Sequence, residues 1–227
     1  MAEPYITLVS SLPYLPPFEQ AERSPITRLR LEQRLHNLDT DDARQLAKAE
    51  ALVSWRMSLA KPKTDAEMVL RSRAAMQDIS QPALRAFIEF RIDQQVILAG
   101  LRQRNAGADA SVLEPISGAS RWVRHIAAHW GDPNFKLTAV YPWIADARTY
   151  LDSNNACALD SLLMQVIWQR LGHIAESNQF GFEAVFAFVF KWDILQAWLA
   201  RDAVQAKSRF QDLIKEIKEI KEIKNDS

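Results

Sequence analysis

The chain has 227 residues, with 28 Lys plus Arg against 28 Asp plus Glu. A formal charge of zero removes the basic excess with which nucleic-acid binders neutralise phosphate, and 25% charged with 48% hydrophobic residues is a folded composition, not a disordered one. A single cysteine, Cys157, excludes an internal disulfide and fits a reducing compartment, and a chain of this length buries enough core to need no covalent staple.

Met1 to Pro4 lacks a basic region followed by an apolar run, so it does not read as a secretory signal. Tyr5 to Val9 suits a short strand or the start of a helix, and Pro13, Pro16 and Pro17 make Ser10 to Pro17 extended or turned. Ser24-Pro25 predicts a helix start, with Ser24 as N-cap and Pro25 at the first helical position. Leu38 to Asp42 closes that helix and opens a second, roughly Asp41 to Ala60, broken by Lys61-Pro62-Lys63. Thr64-Asp65-Ala66-Glu67 has the form of a capping box for a third helix reaching about Ile79. Pro82 starts a longer fourth helix ending near Arg104, with Asn105-Ala106-Gly107 as its stop.

Residues 105–118 hold two Gly and one Pro without helical periodicity and read as a linker. Short helices follow over Arg121 to Trp130 and Pro142 to Leu151, then a long one over Ala156 to Ser177. Phe180-Gly181 breaks the chain, and a last helix starts near Phe182. Its apolar run, Ala184 to Phe190, is far short of the roughly 20 residues that span a bilayer, so the expected location is cytoplasmic. That run, apolar all round, is expected to be buried on all sides. Over Ile214 to Lys224, Lys-Glu-Ile repeats every three residues. On a helix such a stripe drifts by about 60° per repeat, so the tail reads as a helical charged extension without a sustained seam.

The fourth and last helices share a weak internal repeat at a spacing of 100: Phe90 with Phe190, Arg91 with Lys191, Asp93 with Asp193. Asp93 follows Ala86 and Phe90 and precedes Ile97 and Leu101. Asp193 follows Phe186 and Phe190 and precedes Ala197. Both aspartates therefore lie on apolar helical stripes. A buried carboxylate must be paired or hydrogen-bonded, so each is expected to fix how two helices meet. No partner near them in sequence suggests a catalytic acid.

His125 and His129 share a helix face at a spacing that can hold zinc, with Asp132 as a third ligand. Ile126 stands where a His-Glu-x-x-His site has its glutamate, and Arg121 and Arg124 oppose a cation, so a packed or solvated face is the preferred reading. There is no phosphate-binding Gly-rich loop and no Gly-x-Ser-x-Gly turn. Cys157 has no nearby His and reads as a small buried residue, not a nucleophile. Of the seven tryptophans most are expected in the core, and an exposed cluster would mark a binding surface.

Tyr5-Ile6-Thr7-Leu8-Val9-Ser10-Ser11-Leu12-Pro13-Tyr14-Leu15 resembles the opening of an uncharacterised bacterial family associated with V/A-type ATPases and similar to their C-type connector. That connector, the counterpart of the eukaryotic d-type one, joins the rotating central stalk to the membrane rotor ring. Its helical modules close with a helix of the kind Asp-x-x-Asn-Ile…Leu-Arg-x-Lys. Here Asp93, Ile97, Leu101, Arg102 and Arg104 stand on those positions and Val96 replaces the Asn, while the second half keeps Asp193 and has Arg201 near the place of the Leu-Arg pair.

The expected architecture is thus all-α: two stacked helical modules, 1–104 and 119–205, joined by the linker 105–118, with a short extended N-terminal segment and the charged tail 206–227. The resemblance implies a non-catalytic connector or assembly subunit without cofactor, peripheral at the inner membrane through partner subunits of the stalk and rotor ring, with Asp93, Arg102, Asp193 and Arg201 as structural or interaction residues. The rivals are a stand-alone helical adaptor with an unrelated partner and a small helical metal protein using His125 and His129.

Overall fold

A computed structural model describes residues 5–53 and 76–201, and among them every regular element is helical and none is a strand. The proposed Thr64–Glu67 capping box, the breaker at 61–63, most of the third helix and the charged tail lie outside the described residues.

The N-terminal stretch resolves the choice between strand and helix. Residues Ile6–Ser11 form α1, with Leu8 inward. The prolines that follow hold 13–17 out of regular structure until a 3-10 turn at Phe18–Gln20, which buries Phe18. The next helix, α2, runs over Arg28–Leu35 and is capped by Thr27, whose side chain accepts the Arg30 amide. The Ser24-Pro25 start is therefore corrected. Ser24 Oγ donates to the Ile26 carbonyl at 2.7 Å, and Ile26, 4% exposed, takes the chain inward before the helix can begin. Helix α3 covers Thr40–Val53, and Asp39 accepts the amide of Asp41 ahead of its first turn.

Helix α4, Pro82–Asn105, has the boundaries that Pro82 and Asn105-Ala106-Gly107 predict. Between Arg91 and Leu101 only Gln95 and Ala99 are not buried, so this helix runs through the middle of the molecule. That placement follows from its composition, since a helix without a continuous polar face has no side to give to water. Gly100 lies close to α5, Trp122–Ala128. A Cβ there would stand 3.2 Å from Ile126 and 3.4 Å from the Phe135 ring.

Residues 105–118, expected as a linker, contain a 3-10 helix at Ala110–Ile116 whose Leu113 and Ile116 are buried. After α5 the chain turns tightly. Phe135 and Lys136 both take φ of 54°, and Asp132 holds the turn by accepting the amides of Asn134 and Lys136. Helix α6 spans Ile144–Asp152. Helix α7 spans Ala156–Ser177, with Asn155 accepting the Ala158 amide as its N-cap. The last helix, α8, begins at 182 and is described to 201.

One hydrophobic core includes residues from both sides of 105–118. Phe87 of α4 meets Phe186 and Phe190 of α8 at ring distances of 6.1 and 4.9 Å. Val185, Phe186, Ala187, Val189 and Phe190 are all buried, as expected for an all-apolar run, and only Phe188 is partly open, against the small cluster of Ile26, Leu31 and Trp192. The N-terminal segment is fastened to this end of the chain: Tyr5 N donates to the Phe180 carbonyl and Trp192 Nε1 to the Ile26 carbonyl.

Candidate functional site

Asp93 and Asp193 are 6% and 2% exposed, as their positions on apolar stripes predict. Their surroundings differ. Asp93 is a hub at the meeting of α4, the start of α5 and the turn before α6. It accepts hydrogen bonds from Ser120 Oγ, from Trp122 Nε1 at 3.1 Å and from Tyr141 OH at 2.9 Å, with Arg121 Nε 4.0 Å away. Burial and the Asp93 charge raise the Tyr141 phenol above its usual value, so it stays a donor. Asp193 instead acts electrostatically on Arg91, and both line a small cavity with Val53, Phe87, Ile167, Phe190 and Ile194. Burial pulls the Arg91 guanidinium down to about 10, still charged at neutral pH, and Arg91 donates to Gln94 Oε1.

A third polar anchor gave no signal in the sequence. Asp42, on the first turn of α3, accepts from Tyr5 OH at 2.6 Å and from Gln81 Nε2 at 2.7 Å, and burial beside this carboxylate pushes Tyr5 up to about 12. Gln45, 1% exposed, accepts the Ser80 and Gln81 amides. These bonds tie α1, α3 and the start of α4 together over separations of 35 to 39 residues, which no local spacing reveals.

Arg102 and Arg201 both lie within electrostatic reach of one carboxyl. Both act on the carboxyl of Asp160 near the start of α7, which burial raises and the two guanidinium groups, Arg201 first, pull back. Arg102 is exposed. Arg201 lies 4.1 Å over the Trp198 ring and donates to Ser161 Oγ at 3.2 Å. Trp198 in turn packs edge-on against Phe18, which also meets Trp168, and Lys191 stands over Trp168. The result is a half-buried aromatic group with cations on its outer side.

The histidines and the cysteine lie elsewhere. His125 and His129 stack at 4.2 Å. His125 Nε2 is 2.9 Å from the Phe135 carbonyl, and His129 Nδ1 is 2.9 Å from the His125 carbonyl. Each imidazole therefore donates to the backbone. Asp132 is engaged by the turn amides, which hold its carboxyl below the usual range. Among the described residues no group of three or more His, Cys, Asp or Glu is gathered to hold a metal. Cys157 is exposed, not buried, because the first turn of α7 carries it outward.

Among the described residues no helix is long and apolar enough to cross a membrane. Comparison with characterised proteins and with solved structures gives no match. A family model does match residues 63–221, which include α4 to α8 and both Asp93 and Asp193. The chain belongs to the family described as "Protein of unknown function (DUF2764)".

Proposed function

We propose that the protein is a non-catalytic connector or assembly subunit of a bacterial V/A-type ATPase, peripheral to the inner membrane from the cytoplasmic side and held there by subunits of the central stalk and rotor ring. The observation that carries this reading is how the resembling positions divide. Asp93, Ile97 and Leu101 are buried and build the body, whereas Arg102 is exposed and shares with Arg201 the neighbourhood of Asp160. A connector requires that division, a rigid interior and a face for a partner, and no reacting group. Arg and Trp supply most of the energy at protein interfaces, and Arg201 on Trp198 presents both.

The test is recovery of the tagged full chain from native membranes of its source organism, with the bound proteins identified. Stalk or rotor-ring subunits are expected in the wild-type sample and are expected to be lost in R102E and R201E. Wild-type recovery of a defined partner that is no ATPase subunit would replace this reading with the stand-alone adaptor.

A further inference from the structure

A cavity of about 280 Å³ opens where the C-terminal turns of α4 and α6 meet. It is lined by Leu101, Arg104 and Asn105 of α4 and by Arg148, Leu151 and Asp152 of α6, and includes neither Arg102 nor Arg201. We propose that it is a binding site for a carboxylate carried on a short aliphatic stem.

Charge sets the class of ligand. Two arginines against one aspartate leave the lining one positive charge in excess, which suits a monoanion better than dianionic phosphate. Guanidinium groups recognise carboxylates through paired N–H donors. Arg104 is held in place by donating from Nε to the Trp130 carbonyl at 3.1 Å and from one terminal nitrogen to the Pro133 carbonyl at 3.4 Å. The Nε of Arg148 is buried and has no hydrogen-bond partner among the described residues. Buried donors are nearly always satisfied, so Arg148 lines the cavity with one buried donor that the fold leaves unmatched.

Two helix C-termini would ordinarily favour a cation. Here three of the last four carbonyls of each helix are already occupied. Arg102, Gln103 and Arg104 accept the amides of Ala106, Ala108 and Gly107, and Thr149, Tyr150 and Leu151 accept those of Ser153, Asn155 and Asn154. The arginines are thus not consumed in neutralising bare helix ends. Leu101 and Leu151 give the site apolar walls, which suit a methylene stem. By liquid volume the cavity has room for about nine waters, more than enough to admit a short aliphatic acid or an acidic side chain.

The site is tested on the full chain with 15N-labelled arginine, following the Nε–H signal of Arg148 during titration. Sodium butyrate, butylamine hydrochloride, inorganic phosphate and an acetylated, amidated pentapeptide with a central Glu are compared at equal ionic strength. Butyrate or the peptide is expected to shift the signal saturably, and butylamine is not. Tighter binding of the peptide assigns the carboxylate to a partner protein, and response to butyrate alone assigns it to a small metabolite.

R148M is expected to fold with an unchanged melting temperature, because no hydrogen bond of Nε is lost, and to bind at least tenfold more weakly. D152N is expected to admit phosphate. Absence of a saturable shift, an equal response to phosphate in the wild type, or undiminished binding by R148M would each overturn the assignment.

Discussion

Asp93 accepts from three side chains, so truncating it leaves a hydroxyl, a phenol and an indole N–H competing for water that the core excludes. Orphaned buried donors cost on the order of 1–3 kcal/mol each, and Tyr141 and Trp122 can still bond one another. Asp93→Ala is therefore expected to lose about 3 kcal/mol in urea unfolding. The exposed Asp41→Ala breaks a surface pair with Arg44 and a hydrogen bond from Gln45 Nε2, which keeps Ser80 Oγ as an acceptor, and is expected to lose about 1 kcal/mol. Equal losses in the two variants would remove the hub from the account.

Two other aspartates predict opposite pH behaviour. Backbone amides depress Asp132, so its contribution is present above the ordinary carboxylate range and is lost as pH falls through the depressed value. Burial raises Asp160, so it favours the folded state below its raised value and loses that contribution as pH rises. In acid titrations of stability, Asp132→Asn is expected to flatten the acid limb and Asp160→Asn to steepen it. The burial of Asp93 was legible from its helical stripe. Its partners were not, because Ser120, Trp122 and Tyr141 lie 27 to 48 residues away and only folding selects them.

Helix boundaries were readable where one residue type enforces them. Pro82 cannot occupy a helix interior but suits its first turn. At the Ala156 start it is the structure that adds Asn155, whose side-chain oxygen accepts the Ala158 amide. Asn155→Ala is expected to cost about 1 kcal/mol and Asn155→Asp much less, measured by thermal unfolding. Ser24-Pro25 misled because the same dipeptide also builds turns, and burial of Ile26 made a turn the better use of it. Residues 105–118 read as a linker from their Gly and Pro, whereas burial of Leu113 and Ile116 depends on a surface that α5 provides. Gly100 sets the spacing of α4 and α5. Gly100→Ala is expected to be no more stable than the wild type, because crowding against Ile126 and Phe135 offsets the roughly 1 kcal/mol that alanine adds in a helix interior. Gly131→Ala, with nothing within 4 Å, serves as its control.

For the molecule as a whole, the shared core predicts one cooperative transition. Phe87 against Phe186 and Phe190 joins the first half to the last helix, and Arg91 facing Asp193 adds a charge coupling across the same contact. Far-ultraviolet circular dichroism and tryptophan fluorescence are expected to give one coincident urea transition. Fragments 1–104 and 119–227 are expected to be unfolded apart and to regain helix on mixing. Two separate transitions would show instead that the halves are independent units. The all-α class was legible from scarce Gly and helical periodicity. The fusion of both halves into one core was not, because a local repeat reports similarity between segments and not which surfaces meet.

The bond from Trp192 Nε1 to the Ile26 carbonyl closes a loop of 166 residues, and Tyr5 N reaches Phe180 on a similar span. At translation rates of about 5–20 residues per second, the partner of Ile26 is made roughly 10–30 s after Ile26 itself. During that interval Leu8, Phe18 and Ile26, all buried at the end, have no finished surface to cover them. The segment around Ile26 is thus made well before α8 and is covered only once α8 has left the ribosome.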